Sequence, residues 1–321
     1  MDGAAVAPGA GTVLNALATG MGSAFAIDLE TRAEVHLEPH SGVTGEIRTA
    51  PDADTALIER CVSLTVDRYG DDHGGQVVTD SDIPLAGGLK SSSAAANATV
   101  LATLDALGIA VQHSSAPDES PAAEASGKTD SQPGDDGEAR SSGGAEESVS
   151  RLEACRIGVA AARDTGVTVT GAFDDATASM LGGVTVTDND SDRLLSREVM
   201  QRDVLVWTPP ERAYSADADV ERCAAVAPVA DTVAQLARDG RYGSAMTVNG
   251  LAFSAALGFS PDPALEALPH VAGVSLSGTG PSVVAVGEQE NLDQVRERWE
   301  ARPGVVRQTQ TDTDGARIRS P

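Results

Sequence analysis

The 321-residue chain has few aromatic residues, almost no lysine and no paired cysteine motif, and each scarcity narrows what it can be. Phe, Trp and Tyr together make up 3% of the sequence, so the core must be built mainly from Val, Leu, Ile and Ala. No run approaches the roughly 18 consecutive apolar residues that a membrane span requires. The N-terminus lacks a basic segment followed by a Leu-rich run, so no secretory signal is expected and a cytoplasmic protein is the default. The cysteines, Cys61, Cys155 and Cys223, are far apart and odd in number, which gives neither a disulfide framework nor a zinc site. The histidines, His36, His40, His73, His113 and His270, show no metal-ligand spacing. A Gly-x-x-x-x-Gly-Lys-Ser/Thr pattern is absent as well, which excludes a P-loop.

Basic charge is also scarce: 23 Lys and Arg stand against 48 Asp and Glu, for a net charge of −25. Such a field repels nucleic acid and anionic membrane, and neither is expected as a partner. Lys90 and Lys128 are the only lysines; the remaining basic residues are arginines. An acid-rich, lysine-poor and aromatic-poor composition resembles that of proteins working in molar salt. At about 1 M salt the Debye length is only about 3 Å, so self-repulsion is screened.

What is present falls into a mixed pattern. Two strands around a Gly-rich turn are expected over Val6–Leu17 and Gly20–Glu30, continuing into Ala33–Leu37. A helix follows at Asp54–Tyr69, and Gln76–Asp82 is a short strand running into a Gly/Ser loop. Residues Gln112–Ser150 hold nothing larger and apolar than Val149 and read as a disordered acidic insertion between two helices. Beyond it the pattern predicts a helix at Leu152–Asp164 and strands at Val167–Thr170, Gly182–Thr187 and Asp203–Thr208. Pro209 and Pro210 end the last of these, and a second domain starts near there. Helices are then expected at Val220–Arg238, Tyr242–Leu257, Pro263–Ala267 and Leu292–Glu300, with strands at Val271–Leu276 and Ser282–Val286. Strands and helices without strict alternation argue for an α+β fold.

The chemistry concentrates in the run Pro84, Leu85, Ala86, Gly87, Gly88, Leu89, Lys90, Ser91, Ser92, Ser93, Ala94. The glycines permit close backbone approach, and a helix begins just beyond, with Val100, Leu101, Leu104 and Leu107 on one face. The serines therefore stand at a helix N-terminus, where unpaired amides and the macrodipole favour an anion. Lys90 adds a full positive charge there. A phosphate cradle follows from these residues alone, and with it a phosphotransferase acting on a small molecule.

The same run resembles the second motif of the GHMP kinases, Pro-x-x-x-Gly-Leu-x-Ser-Ser-x-Ala. Two further segments fall in the order that family requires: Thr170–Asp175 with Gly182 and Gly183, similar to its aspartate segment, and Ser275–Pro281, similar to its C-terminal glycine motif. In detail the wording is most similar to the archaeal shikimate kinases: Lys90 where most relatives have Gly, a triple Ser, Thr170-Gly-Ala-Phe-Asp-Asp175, and the block Gly11–Asp28.

The resemblance implies a two-domain fold, with a ribosomal protein S5 domain 2-like N-terminal domain over residues 1–200 and a ferredoxin-like C-terminal domain over 201–321. It implies ATP-dependent phosphorylation of the 3-hydroxyl of shikimate in aromatic amino acid biosynthesis, by a monomer or homodimer. Homoserine or mevalonate kinase is the alternative within the superfamily, and a non-catalytic nucleotide-binding protein is a remote third. Asp174 or Asp175 would orient or accept the substrate's hydroxyl proton, with Lys90 neutralising phosphate charge. Ser92 or Ser93 would hold Mg²⁺, with Asp164 as a further ligand. Ser277, Gly278, Thr279 and Gly280 would close over the substrate. An Arg or backbone-amide clamp is expected for the substrate's carboxylate.

Overall fold

A computed structural model of the protein describes residues 1–112, 148–168, 170–213 and 218–319. The first half is a sheet covered by helices. Strand β1 (Asp2–Leu14) pairs antiparallel with the long β2 (Met21–Pro39), followed by β3 (Val43–Ile47), helix α1 (Ala56–Tyr69), β4 (His73–Ser81) and helix α2 (Ser91–Ala106). Pro8 has no amide proton for the ladder, and the β1–β2 register shifts between Pro8 and Gly9. β2 changes partner along its length. Its later residues pair with β4, and Met21–Phe25 pair with β7 (Val184–Asp188). That switch brings the end of β7 beside the start of β2, at the site described below.

Helix α2 has small or apolar side chains on every face and is buried almost throughout, lying directly on β1 and β2. Helix α3 (Arg151–Asp164) is capped by Ser150, whose Oγ accepts from the Glu153 amide at 3.1 Å. It packs over α1, α2 and α4 (Phe173–Leu181). α4 is buried over its whole length. The expected disordered insertion falls largely on 113–147, outside the described residues. Its two ends form a parallel pair, β5 (Ala110–Gln112) with β6 (Ser148–Ser150), so the insertion leaves and re-enters at one place.

After β8 (Arg193–Glu198), strand β9 (Asp203–Thr208) opens a second sheet. It is followed by α5 (Val220–Ala224), α6 (Ala227–Arg238), α7 (Tyr242–Leu257), α8 (Asp262–Ala267), β10 (Gly273–Leu276), β11 (Val283–Gly287), α9 (Gln289–Glu300) and β12 (Val305–Gln310). The sheet order β10-β11-β9-β12, antiparallel throughout, is the ferredoxin-like arrangement. Leu205, Val274, Val283 and Ala285 form a separate core with α8 and α9 around the fully buried Trp299. The chain then returns to the first sheet, where β13 (Arg317–Ile318) pairs with β1. Two arginines hold this return: Arg151 donates to the carbonyls of Asp314 and Ala316, and Arg197 to those of Leu181, Gly182 and Thr313.

Three expectations need correction. Thr168 and Thr170 belong to a loop rather than a strand, and Val169 is outside the described residues. The single helix expected over Val220–Arg238 is broken at Ala225 and Val226, because Pro228 in the first turn of α6 has no amide to continue a helix. Strands β8 and β12 have no counterpart in the sequence reading, since both are polar and mostly exposed or half-buried.

Candidate active site

Helices α2 and α4 begin at the same cleft, and each is entered through a strained residue. Lys90 precedes α2 with a left-handed backbone (φ 66°), and Ala172 precedes α4 the same way (φ 50°). That conformation costs an L-residue about 1–2 kcal/mol, and it persists where surrounding structure over-determines it, often at functional sites. No side chain caps α2 and no acidic residue lies in its first turn, so its leading amides and dipole face the cleft uncompensated. In α4 the first turn carries Asp174 and Asp175 instead.

Lys90 joins the two helix ends. Its Nζ is 3.0 Å from Asp175 Oδ1, with the two side chains 9% and 12% exposed. Burial pushes the Asp175 carboxyl up, to about 7; the neighbouring charge of Asp174 adds to the shift and Lys90 opposes it. Asp174 is held from the other side. Its amide donates to Asn189 Oδ1 at 3.2 Å, and Asn189 Nδ2 donates back to Asp174 Oδ1 at 2.8 Å. Gly22 on β2 makes the room, because a Cβ there would lie 2.6 Å from the Asp174 carboxyl carbon.

The glycine loop between β10 and β11 closes over this group. Gly278 N–H donates to Thr12 Oγ1 at 2.7 Å, Asn15 Nδ2 donates to Gly278 O at 2.9 Å, and Ser277 Oγ donates to Gly88 O at 2.8 Å. Asn249 on α7 accepts from the Asn15 amide at 2.9 Å, which ties the second sheet's helix to the first sheet's turn. Gly278 is left-handed (φ 58°), and a Cβ on it would reach within 2.5 Å of Lys90 Nζ. Thr12, Asn15, Lys90, Thr170, Asp174 and Asp175 are among the residues lining the resulting cleft, with Gly278 and Thr279 above.

Of the residues singled out from sequence, Lys90, Asp174, Asp175, Gly278 and Thr279 line the cleft, and Pro84–Leu89, Ser91–Ala94, Ser277 and Gly280 lie in the turns and helix start beside it. Pro84–Leu89 form the turn leading into α2, anchored where Leu89 O accepts from Ala10 N at 3.2 Å. Ser91, Ser92 and Ser93 are the first three helical residues, Ser92 exposed and Ser93 buried, with Ala94 behind them. Gly280 N–H donates to Ser277 O at 2.9 Å and tightens the closing loop. Asp164 is the exception. Expected as a metal ligand, it instead pairs with Arg60 at 2.7 Å near the end of α3 and is not among the residues lining the cleft. Nor does an arginine line the cleft among the described residues. Thr12 and Asn15 lie in the block Gly11–Asp28 without having been singled out there, and Asn189 and Thr168 were reached by no motif; an amide or hydroxyl side chain leaves no periodic signal.

Comparison with known proteins places this geometry in a family. A profile described as "GHMP kinases N terminal domain" matches residues 56–136. The chain is 58% identical over 318 residues to a shikimate kinase of Halobacterium salinarum, covering 99% of each protein. To a shikimate kinase of Methanosarcina mazei it is 44% identical over 320 residues, covering 98% of this chain and 96% of the relative. Among solved structures, the Methanococcus jannaschii mevalonate kinase superposes with a TM-score of 0.68 at 12% identity, covering 99% of this chain and 98% of that one. A homoserine kinase from Cytophaga hutchinsonii gives 0.65 at 15% identity, covering 99% and 97%. At these identities the structural matches speak for the fold.

Proposed function

The chain belongs to the GHMP kinases, in the branch of the archaeal shikimate kinases, and on that premise we propose that it transfers the γ-phosphoryl group of ATP to the 3-hydroxyl of shikimate. The observation that supports the reading best is the meeting of Lys90, Asp174 and Asp175 in one cleft between two helix N-termini.

Phosphoryl transfer depends on positioning and charge neutralisation more than on covalent help. The uncapped start of α2, with the amides of Gly87–Ser93, receives the nucleotide's phosphates. Lys90 then faces the group being transferred. Asp174, oriented by Asn189, takes the role of the carboxylate that accepts or orients the substrate's hydroxyl proton. Asp175 keeps Lys90 in place. Thr12, Asn15, Thr168 and Thr170 offer the neutral polar wall that a polyhydroxylated ring needs.

Among the described residues no cluster of three His, Cys, Asp or Glu side chains could cage a metal. The hydroxyls of Ser92 and Ser93 are hard oxygen donors, and Mg²⁺ is usually held by one or two protein groups plus substrate phosphates, so these residues fit. When bound with the nucleotide, Mg²⁺ supplies charge neutralisation across its phosphates. We place the enzyme in the cytoplasm; among the described residues no helix is long and apolar enough to cross a membrane.

The test is a coupled ADP-release assay in KCl at roughly 2–4 M, where surface charge is screened, with shikimate, homoserine and mevalonate offered separately. Shikimate alone should stimulate release, and the product should be shikimate 3-phosphate by mass and phosphorus NMR. Stimulation by homoserine or mevalonate without shikimate overturns the substrate. Asp174→Asn should lower kcat by about 10²–10⁴-fold, and Lys90→Ala by about tenfold or more; unchanged kinetics in either variant rejects that residue's role.

A further inference from the structure

Asn189 is assigned no role by any motif, yet no other side chain donates a hydrogen bond to the Asp174 carboxylate among the described residues. It follows directly on β7, is 1% exposed, and all its amide atoms are committed. Oδ1 accepts two hydrogen bonds, from the Asp174 backbone N–H at 3.2 Å and from Thr187 Oγ1 at 2.7 Å. Nδ2 donates to Asp174 Oδ1 at 2.8 Å, and the Asn189 backbone N–H donates to Gly20 O at 2.9 Å.

The orientation of this amide is forced. A backbone N–H can only donate, so the atom facing the Asp174 amide must be the oxygen, and the NH₂ group is left to face the carboxylate. The Thr187 hydroxyl, which can donate or accept, adds a hydrogen bond to the same oxygen. A flipped amide would set its NH₂ against a backbone donor and its oxygen against a carboxylate oxygen, losing two hydrogen bonds in a buried place. Thr187, Asn189 and Asp174 therefore form a short relay with a single sense. One side chain binds both the backbone and the carboxylate of the same aspartate, which fixes its position along the helix and its side-chain torsion together.

Resting on the reading of Asp174 as the carboxylate that meets the substrate hydroxyl, we infer that Asn189 is a positioning residue: it holds Asp174 Oδ1 so that Oδ2 is presented to the substrate, with Thr187 bracing the amide oxygen. The observed geometry matches the demand. Oδ1 is occupied by Asn189, Oδ2 packs against the backbone of Gly22, where a Cβ would stand 2.6 Å from it and push the carboxylate aside, and Asp174 is one of the residues lining the cleft. A carboxylate free to rotate would spend much of its time out of line, and small misplacements of catalytic groups can cost about 10²-fold in rate.

The experiment is a kinetic double-mutant cycle on the full chain with Asn189→Leu, which keeps the volume and removes the amide, and Asp174→Asn. Asn189→Leu should lower kcat by about 30-fold or more while KM for ATP and shikimate stay within about threefold. In the Asp174→Asn background the same change should cost less than about threefold, because a residue acting through Asp174 has nothing left to position. Thr187→Val, a milder change, should lower kcat by about three- to tenfold without loss of the thermal transition, and it stands in if Asn189→Leu fails to fold. Wild-type kcat in both Asn189→Leu and Thr187→Val overturns the inference, as does a full additional loss on the Asp174→Asn background. If Asp174→Asn itself retains wild-type kcat, the failure lies in the reading of Asp174 as the reacting carboxylate.

Discussion

Asp175 decides whether Lys90 has a counter-charge, and its ionisation falls within the working pH range. Its carboxyl is raised from an ordinary 3.8 to about 7, by burial first and by Asp174 second. A raised carboxyl is neutral below its pKa, so the Lys90–Asp175 ion pair exists above about pH 7 and dissolves as pH falls through it. The expected outcome is a kcat/KM profile with an acid limb centred near pH 7. Asp175→Asn mimics the protonated form, so it should show low activity with that limb removed. A variant that keeps the limb at the wild-type position would show that another group titrates there. Lys90 and the two aspartates were legible in the sequence because each carries a distinctive local signal: a rare lysine inside a Gly/Ser turn, and an acidic pair after Thr-Gly-Ala-Phe. Asp164 misled because closeness in sequence to the aspartate segment does not bring it into the cleft; the chain runs through a further loop, and Arg60 on α1 takes the carboxylate.

At the scale of elements, periodicity gave the buried helices α1, α2, α3 and α7 nearly to the residue, because each follows a strong run of apolar or small residues. It failed where tertiary contacts define the element. α4 is nine residues long, shorter than the stretch over which a helical period can be read. The loop at Thr168 and Thr170 has the composition of a strand but is held open from behind by Arg163, which donates to Thr170 O and pairs with Asp192 through both guanidinium nitrogens. The insertion boundary is a sharper case. Residues 112–150 read as one dispensable unit, yet Val149 is fully buried and Ser150 caps α3. Losing such a cap costs about 1 kcal/mol. Deleting through Ser150 should therefore destabilise the protein, whereas replacing only 113–147 should not. Because β5 and β6 are parallel, Gln112 lies opposite Ser150 and the replacement must run back along the pair, so a linker of about a dozen Gly and Ser residues is needed. The short-linker protein should keep kcat within about twofold and its thermal midpoint within about 3 °C. A large loss of activity with the fold intact would give the insertion a catalytic role.

Across the whole molecule, the composition that gave no hint of the reaction governs the conditions under which it can run. The net charge is −25, and several of the arginine pairs, Arg60 with Asp164 and Arg48 with Glu34 among them, stand at half-exposed sites where a pair contributes at most about 1 kcal/mol. Local attraction is therefore too small to offset the repulsion among the remaining carboxylates at low ionic strength. The core is poorly placed to compensate, since it is built from Val, Leu and Ala around few large aromatic side chains, Trp299, Phe25, Phe173 and Phe253 among them. Raising KCl from about 0.1 M to about 2 M shrinks the Debye length from about 10 Å to below about 3 Å. It weakens the few favourable surface pairs and the many unfavourable ones together, and the second group is larger. The Lys90–Asp175 pair and the Asn189–Asp174 contact are buried and are screened much less, so the site should keep its geometry in the same salt. Thermal unfolding followed by circular dichroism should then show a midpoint that rises by about 10 °C or more over that range, with KM for shikimate changing little. A midpoint that stays flat or falls with salt would mean that packing rather than charge limits the stability of this fold.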